Sequence, residues 1–85
     1  MKAIDQLEQL LLDFGFTMSL GHEPDDVAAT EYIRGNEGTR VVEIDDAEYQ
    51  VAESIVFGAG IGAPGNFVEF WFDANGNFLA HGVWE

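Results

Sequence analysis

Apolar residues recur along the first segment of the chain at a helical period. Ile4, Leu7, Leu10, Leu11 and Phe14 fall on one face of a 3.6-residue repeat, while Asp5, Gln6, Glu8, Gln9 and Asp13 fill the other. The pattern predicts a helix over Lys2–Phe14, and Gly15 stands where helices commonly end in a left-handed glycine. Asp5 and Glu8 are well placed for the helix's N-terminal dipole end. Only Leu12 is off the stripe.

At the far end, two runs rich in aromatic and β-branched residues between Phe67 and Trp84 flank Asn75-Gly76. Asn-Gly tolerates the positive φ that a two-residue type I′ turn needs at both positions, so a β-hairpin is predicted. In that register Phe72 faces Leu79, Phe70 faces His81 and Val68 faces Val83. Phe67, Trp71, Phe78 and Trp84 then share the other face, although a three-residue loop with a bulge would shift the register by one. Both faces are apolar, and both require cover.

Between these ends, Phe16–Leu20 alternates as a strand and Gly21-His22-Glu23-Pro24-Asp25-Asp26 is a polar turn. Val27–Arg34 and Arg40–Asp45 read as strands joined by Gly35-Asn36-Glu37-Gly38, a second hairpin signal. For 46–57, Asp45 and Glu48 have the spacing of a capping box. A helix from there through Phe57 would stack Val51, Ala52, Ile55 and Val56 and stop at Gly58. The strand alternative alternates Tyr49, Val51, Ile55 and Phe57 but brings Glu53 inside, and the helix is favoured. Residues 58–65 form a glycine-rich loop. The order α-β-β-β-α-β-β makes residues 1–85 a single α+β domain, with a mostly antiparallel sheet of four to five strands, an N-terminal helix and a second helix.

Charge narrows what such a domain does. Sixteen Asp and Glu against three Lys and Arg give a net −13, which repels nucleic acid and anionic membranes and attracts basic partners. With no cysteine there is no disulfide framework, thiolate metal site or cysteine nucleophile. No apolar run approaches the roughly 18–20 residues that span a bilayer, so a cytoplasmic protein is expected. The composition keeps seven Phe and two Trp, where salt-adapted chains trade bulky aromatics for smaller residues.

Each catalytic or ligand motif fails on spacing. Gly58-x-Gly60-x-Gly62-x-x-Gly65 resembles a phosphate loop, but Pro64 and a strand follow it and no basic residue lies within it. Asp73-x-Asn75-x-Asn77 opens like a calcium loop, yet its glycine comes fourth instead of sixth and Trp84 occupies the place of the bidentate Glu. His22, Glu23 and Asp26 are separated by Pro24, and His81 lies in a strand among aromatics. No cofactor, no metal and no enzymatic activity are expected.

Size, charge, the first helix with Ile4-Asp5-Gln6-Leu7-Glu8 and the element order resemble small acidic phage-encoded DNA mimics. These include anti-CRISPR proteins, anti-restriction proteins and the uracil-DNA glycosylase inhibitor. The resemblance implies a stoichiometric inhibitor whose carboxylates occupy the Lys/Arg-lined surface of a basic protein or nucleoprotein complex in the host cytoplasm, with no direct nucleic-acid or membrane binding. A body about 30 Å across fits this, since duplex DNA of equal length presents roughly 18 phosphates. The expected contacts are Glu23, Asp25 and Asp26 on the polar turn and Glu43, Asp45, Asp46 and Glu48 around a strand end. Trp71 and Trp84 are expected to anchor the patch centre. The alternative is a small interaction or immunity-type module, or a homodimer that buries the second aromatic face of the sheet.

Overall fold

The computed structural model describes residues 1–18, 31–35, 38–58 and 67–84. Helix α1 spans Ala3–Asp13 and turns Ile4 and Leu11 into the core at 0% and 4% exposure, with Leu7 packed beside them. Leu10, about 100° round the axis from Leu11, stays on the outer flank with Phe14, and both are exposed. The stripe is therefore narrower than its period suggested. No side chain caps the helix at Lys2; instead the Ile4 N–H donates to the carbonyl of Gly76 at 3.1 Å, satisfying one of the free first-turn amides. The other end closes as the sequence predicted. Gly15 adopts φ +90°, Gly15 N–H donates to the Leu12 carbonyl and Phe16 N–H to that of Leu11, which together form a Schellman motif. Phe16 thereby enters the core.

Among the described residues seven strands follow: β1 (Thr17–Met18), β2 (Glu31–Gly35), β3 (Arg40–Ile44), β4 (Ala47–Val51), β5 (Glu53–Gly58), β6 (Phe67–Phe72) and β7 (Phe78–Trp84). Five make one sheet in the order β1-β2-β5-β6-β7, antiparallel except for β1 beside β2; β3 and β4 make a separate two-stranded ribbon. Directly paired residues share a face. Tyr32 with Phe57, Ile55 with Phe70, and Phe72 thus lie under α1. Phe16 meets Phe57 edge-on at 5.4 Å, and Phe57 stacks on Phe70 at 5.6 Å.

The second helix expected over 46–57 is absent; the segment is β4, a bend at Ala52, and β5. Asp45 and Asp46 do not cap a helix. They adopt φ +51° and +67° and form the two-residue turn between Ile44 and Ala47. The objection to a strand was Glu53, and Arg34 answers it. The guanidinium holds Glu53 at 3.3 Å together with Asp5 at 3.1 Å and Glu8 at 2.9 Å from α1. Burial pulls the Arg34 pKa down, but its hydrogen bonds to Glu8, Glu53 and Asp5 and the charge of Glu8 outweigh that and leave it above its ordinary value. The expected β2–β3 hairpin is also replaced, because β2 pairs with β5 and β3 with β4.

The closing hairpin forms, with a different turn. Gly76 N–H donates to the Asp73 carbonyl and Asp73 N–H to that of Asn77, so Ala74–Gly76 is a three-residue loop with only Gly76, at φ +79°, left-handed. Phe72 consequently pairs with Phe78 instead of Leu79. Leu79 is then an extra residue, a bulge that restores Trp71 opposite Ala80, Phe70 opposite His81 and Val68 opposite Val83. Phe78 moves to the helix face, where it meets Phe70 and Phe72 at 6.0 and 5.9 Å.

Two predictions follow from this hairpin. A Cβ at Gly82 would lie 2.7 Å from the ring of Trp71, which is 3% exposed and has nowhere to retreat. Gly82→Ala should cost about 1–3 kcal/mol in urea unfolding, and less in a Trp71→Phe background. The second concerns Asp73, whose carboxylate accepts from the backbone of Asn77 and Asn75 and from the Asn77 amide. These bonds, the Asn77 backbone first, hold its pKa below the ordinary value. A depressed carboxylate stabilises fully above the unfolded pKa of about 3.9 and loses that contribution as pH falls through the folded value. The stability difference between parent and Asp73→Asn should be flat above about pH 5 and shrink below about pH 4.

Candidate functional site

The β3–β4 ribbon carries the largest group of expected contact residues, and its register explains how they meet. Arg40, Val42 and Ile44 pair with Val51, Tyr49 and Ala47 and share the inward face. Val51 is 1% exposed, and Arg40 reaches the sheet through an ion pair with Glu69 of β6 at 3.2 Å. Between the ribbon's base and the sheet face opposite α1 lies a hollow of about 160 Å³, lined by Ile33, Val56, Ser54 and Glu69 among others. The ribbon thus supplies part of the cover that the second apolar face requires.

Its outward face is acidic. Val41 pairs with Gln50 and Glu43 with Glu48, and all four are exposed. Beyond them Asp45 and Asp46, also exposed, make the turn. Four carboxylates therefore gather on six consecutive residues of a hairpin tip. The arrangement opposes stability twice. Glu43 directly faces Glu48, where like charges repel, and two non-glycine residues occupy the left-handed region. The two arginines are engaged away from the tip, Arg34 with Asp5, Glu8 and Glu53, and Arg40 with Glu69.

The remaining expected contacts divide. Glu23, Asp25 and Asp26 lie outside the described residues, as do His22 and residues 59–66 of the glycine-rich loop. Trp71, expected to anchor a contact patch, is instead a core residue at 3% exposure. It lies across Gly82, and its indole N–H has no partner among the described residues. Trp84 is 46% exposed on β7, its ring 6.2 Å from that of Phe67. Val41, 62% exposed beside Glu43, is an apolar contact candidate that sequence reasoning passed over, although strand alternation alone puts it on the acidic face.

Two of the other candidate groups have contacts within the fold. The Asp73 carboxylate is occupied by the turn it organises. His81 packs 5.8 Å from Phe70. Among the described residues no group of three or more His, Asp or Glu could hold a metal ion, and no helix is long and apolar enough to cross a membrane.

The tip's cost is measurable. Glu48→Lys should raise stability by about 0.2–1 kcal/mol by replacing a repulsive cross-strand pair with an attractive one. Asp46→Gly should add up to about 1 kcal/mol by relieving the left-handed residue. Both should appear as a higher urea midpoint with an unchanged slope. No family model, curated protein or solved structure matches this chain.

Proposed function

We propose that the protein is a stoichiometric inhibitor that presents the acidic β3–β4 ribbon to a basic nucleic-acid-binding partner and competes with the nucleic acid for it. A CRISPR effector or a restriction complex is the class of partner this chemistry suits. The observation that carries the reading is the hairpin tip itself: Glu43, Asp45, Asp46 and Glu48 are exposed together in an arrangement that works against the fold. Residues that break local rules without a compensating structural gain are those expected at functional sites. Scale supports the same reading. The longest extent of the molecule is 33 Å, over which duplex DNA carries about 19 phosphates, against sixteen Asp and Glu here. Val41 adds an apolar contact at the edge of the acidic face, where partner lysine or arginine stems could pack. The protein acts by occupancy, with no chemical step.

Binding should be measured against a purified effector or nuclease complex across about a tenfold range of salt. Affinity is expected to fall steeply with salt, duplex DNA should displace the protein, and the combined Glu43→Gln, Asp45→Asn, Asp46→Asn, Glu48→Gln variant should associate at least about tenfold more slowly. Affinity that stays level with salt, or a variant that binds as the parent does, sinks charge mimicry by this ribbon.

A further inference from the structure

Strand β7 ends the sheet, and among the described residues nothing pairs with its outer side. Its seven residues, Phe-Leu-Ala-His-Gly-Val-Trp, contain no Asp, Glu, Lys, Arg or Pro. Natural sheets blunt an exposed edge with charge, proline, shortness or a bulge. The opposite edge, β1, is two residues long. β7 has only the bulge at Leu79, which leaves Ala80–Trp84 regular and open.

Apolar surface accompanies that edge. Phe78, Val83 and Trp84 are 50%, 62% and 46% exposed on β7, and Leu10 and Phe14 of α1 are 53% and 76% exposed. The helix positions belong to the same side of the molecule. Asp5 and Glu8 of α1 reach Arg34 on β2, and Leu10 and Phe14 lie roughly half a turn round the axis from them. They therefore point away from β2, toward the β7 end of the sheet. The start of α1 is tied to Gly76 at the β6–β7 loop, so Phe14 lies toward the other end of the sheet, where Val83 sits.

We infer that a second copy of the chain pairs antiparallel with β7, continuing the sheet through a two-fold axis near Gly82. Charge selects this occupant. Each copy carries −13, so two copies meet less repulsion along β7, whose own residues carry no carboxylate, than at the ribbon, to which a basic partner is drawn. Geometry agrees, because an antiparallel edge pair is self-complementary. It sets both α1 helices on one face of the merged sheet, their Leu10 and Phe14 flanks turned to each other. Area agrees as well. Buried completely, the exposed parts of these five residues supply at most roughly 500–600 Å² per copy, about 1,000–1,200 Å² for the pair, the size of a small interface before main-chain hydrogen bonds are added. The association does not depend on the inhibitor reading.

Sedimentation of the full chain across the micromolar range tests it, with Val83→Lys and Phe14→Lys beside the parent. The parent should sediment at twice the chain mass, more completely as salt rises, because screening weakens repulsion between like-charged copies. That salt response is opposite in sign to the one expected for partner binding, so the two can fail separately. Each variant should weaken the dimer at least about tenfold while its circular dichroism is unchanged. Added lysine lowers the net charge, so general repulsion would not account for such a loss. Hydrogen exchange at β7 should slow as concentration increases in the parent. A parent that remains monomeric, or a dimer indifferent to both substitutions with β7 exchange independent of concentration, overturns the inference.

Discussion

The structure depends on the packing of α1 against one face of the five-stranded sheet, where Ile4 and Leu11 meet Tyr32, Ile55 and Phe72. Each such side chain contributes about 1.5–3 kcal/mol when fully buried, and in a chain of 85 residues there are few of them. Thirteen net negative charges oppose compaction through self-repulsion. The margin is therefore narrow, and the contacts that seat the helix matter beyond their number. Ile4 N–H on Gly76 fastens the helix start to the last hairpin, the Schellman turn at Gly15 folds Phe16 back into the core, and Arg34 joins helix to strand along the side.

Arg34 shows how the charge is managed. One guanidinium receives Asp5 and Glu8 from α1 and Glu53 from β5, so three carboxylates that would repel one another are held by a shared cation at the seam. Each bond is partly solvated and modest alone, but the cluster fixes which flank of α1 faces β2. That turns the opposite flank, with Leu10 and Phe14, away from β2. The acids of the ribbon project from a different element altogether. Repulsion is relieved at the seam, and the acidic ribbon tip and the exposed Leu10 and Phe14 lie on different elements.

Local signals were legible where local physics decides. The period of Ile4, Leu7 and Leu11, the glycine at position 15 and the aromatic runs around Asn75-Gly76 all gave the right element in the right place. The turn type was not legible, because Asp73 organises a wider loop by accepting several amides, a bonding choice that Asn-Gly alone does not reveal. Residues 46–57 were misread because Val51, Ala52, Ile55 and Val56 suit either period. What makes them strands is pairing with β2, β3 and β6, and what admits Glu53 is an arginine 19 residues away. In the candidate site, the closeness of Glu43, Asp45, Asp46 and Glu48 is visible around a strand end, but the spacing of Asp45 and Glu48 suggests a helix cap instead of a hairpin tip. The burial of Trp71 was not visible, since it turns on the recess left by Gly82 on the neighbouring strand.

The two hairpin turns invite comparison within one chain. At β6–β7 the left-handed position is given to Gly76, whose missing side chain also makes room for the stem of Lys2. At β3–β4 both left-handed positions are given to aspartate, in a loop too short to relax, between two glutamates that face each other. A sequence that uses glycine where the fold requires it could have used it again. Nothing in the packing of the ribbon calls for carboxylates at its tip: the inward face is anchored by Val51 and Arg40, several residues away. Asp45 suits the first position of such a turn, but Asp46 and the two facing glutamates do not serve the folding of the hairpin that carries them. In the reading proposed above, what answers to these acids is a positively charged surface approaching from outside.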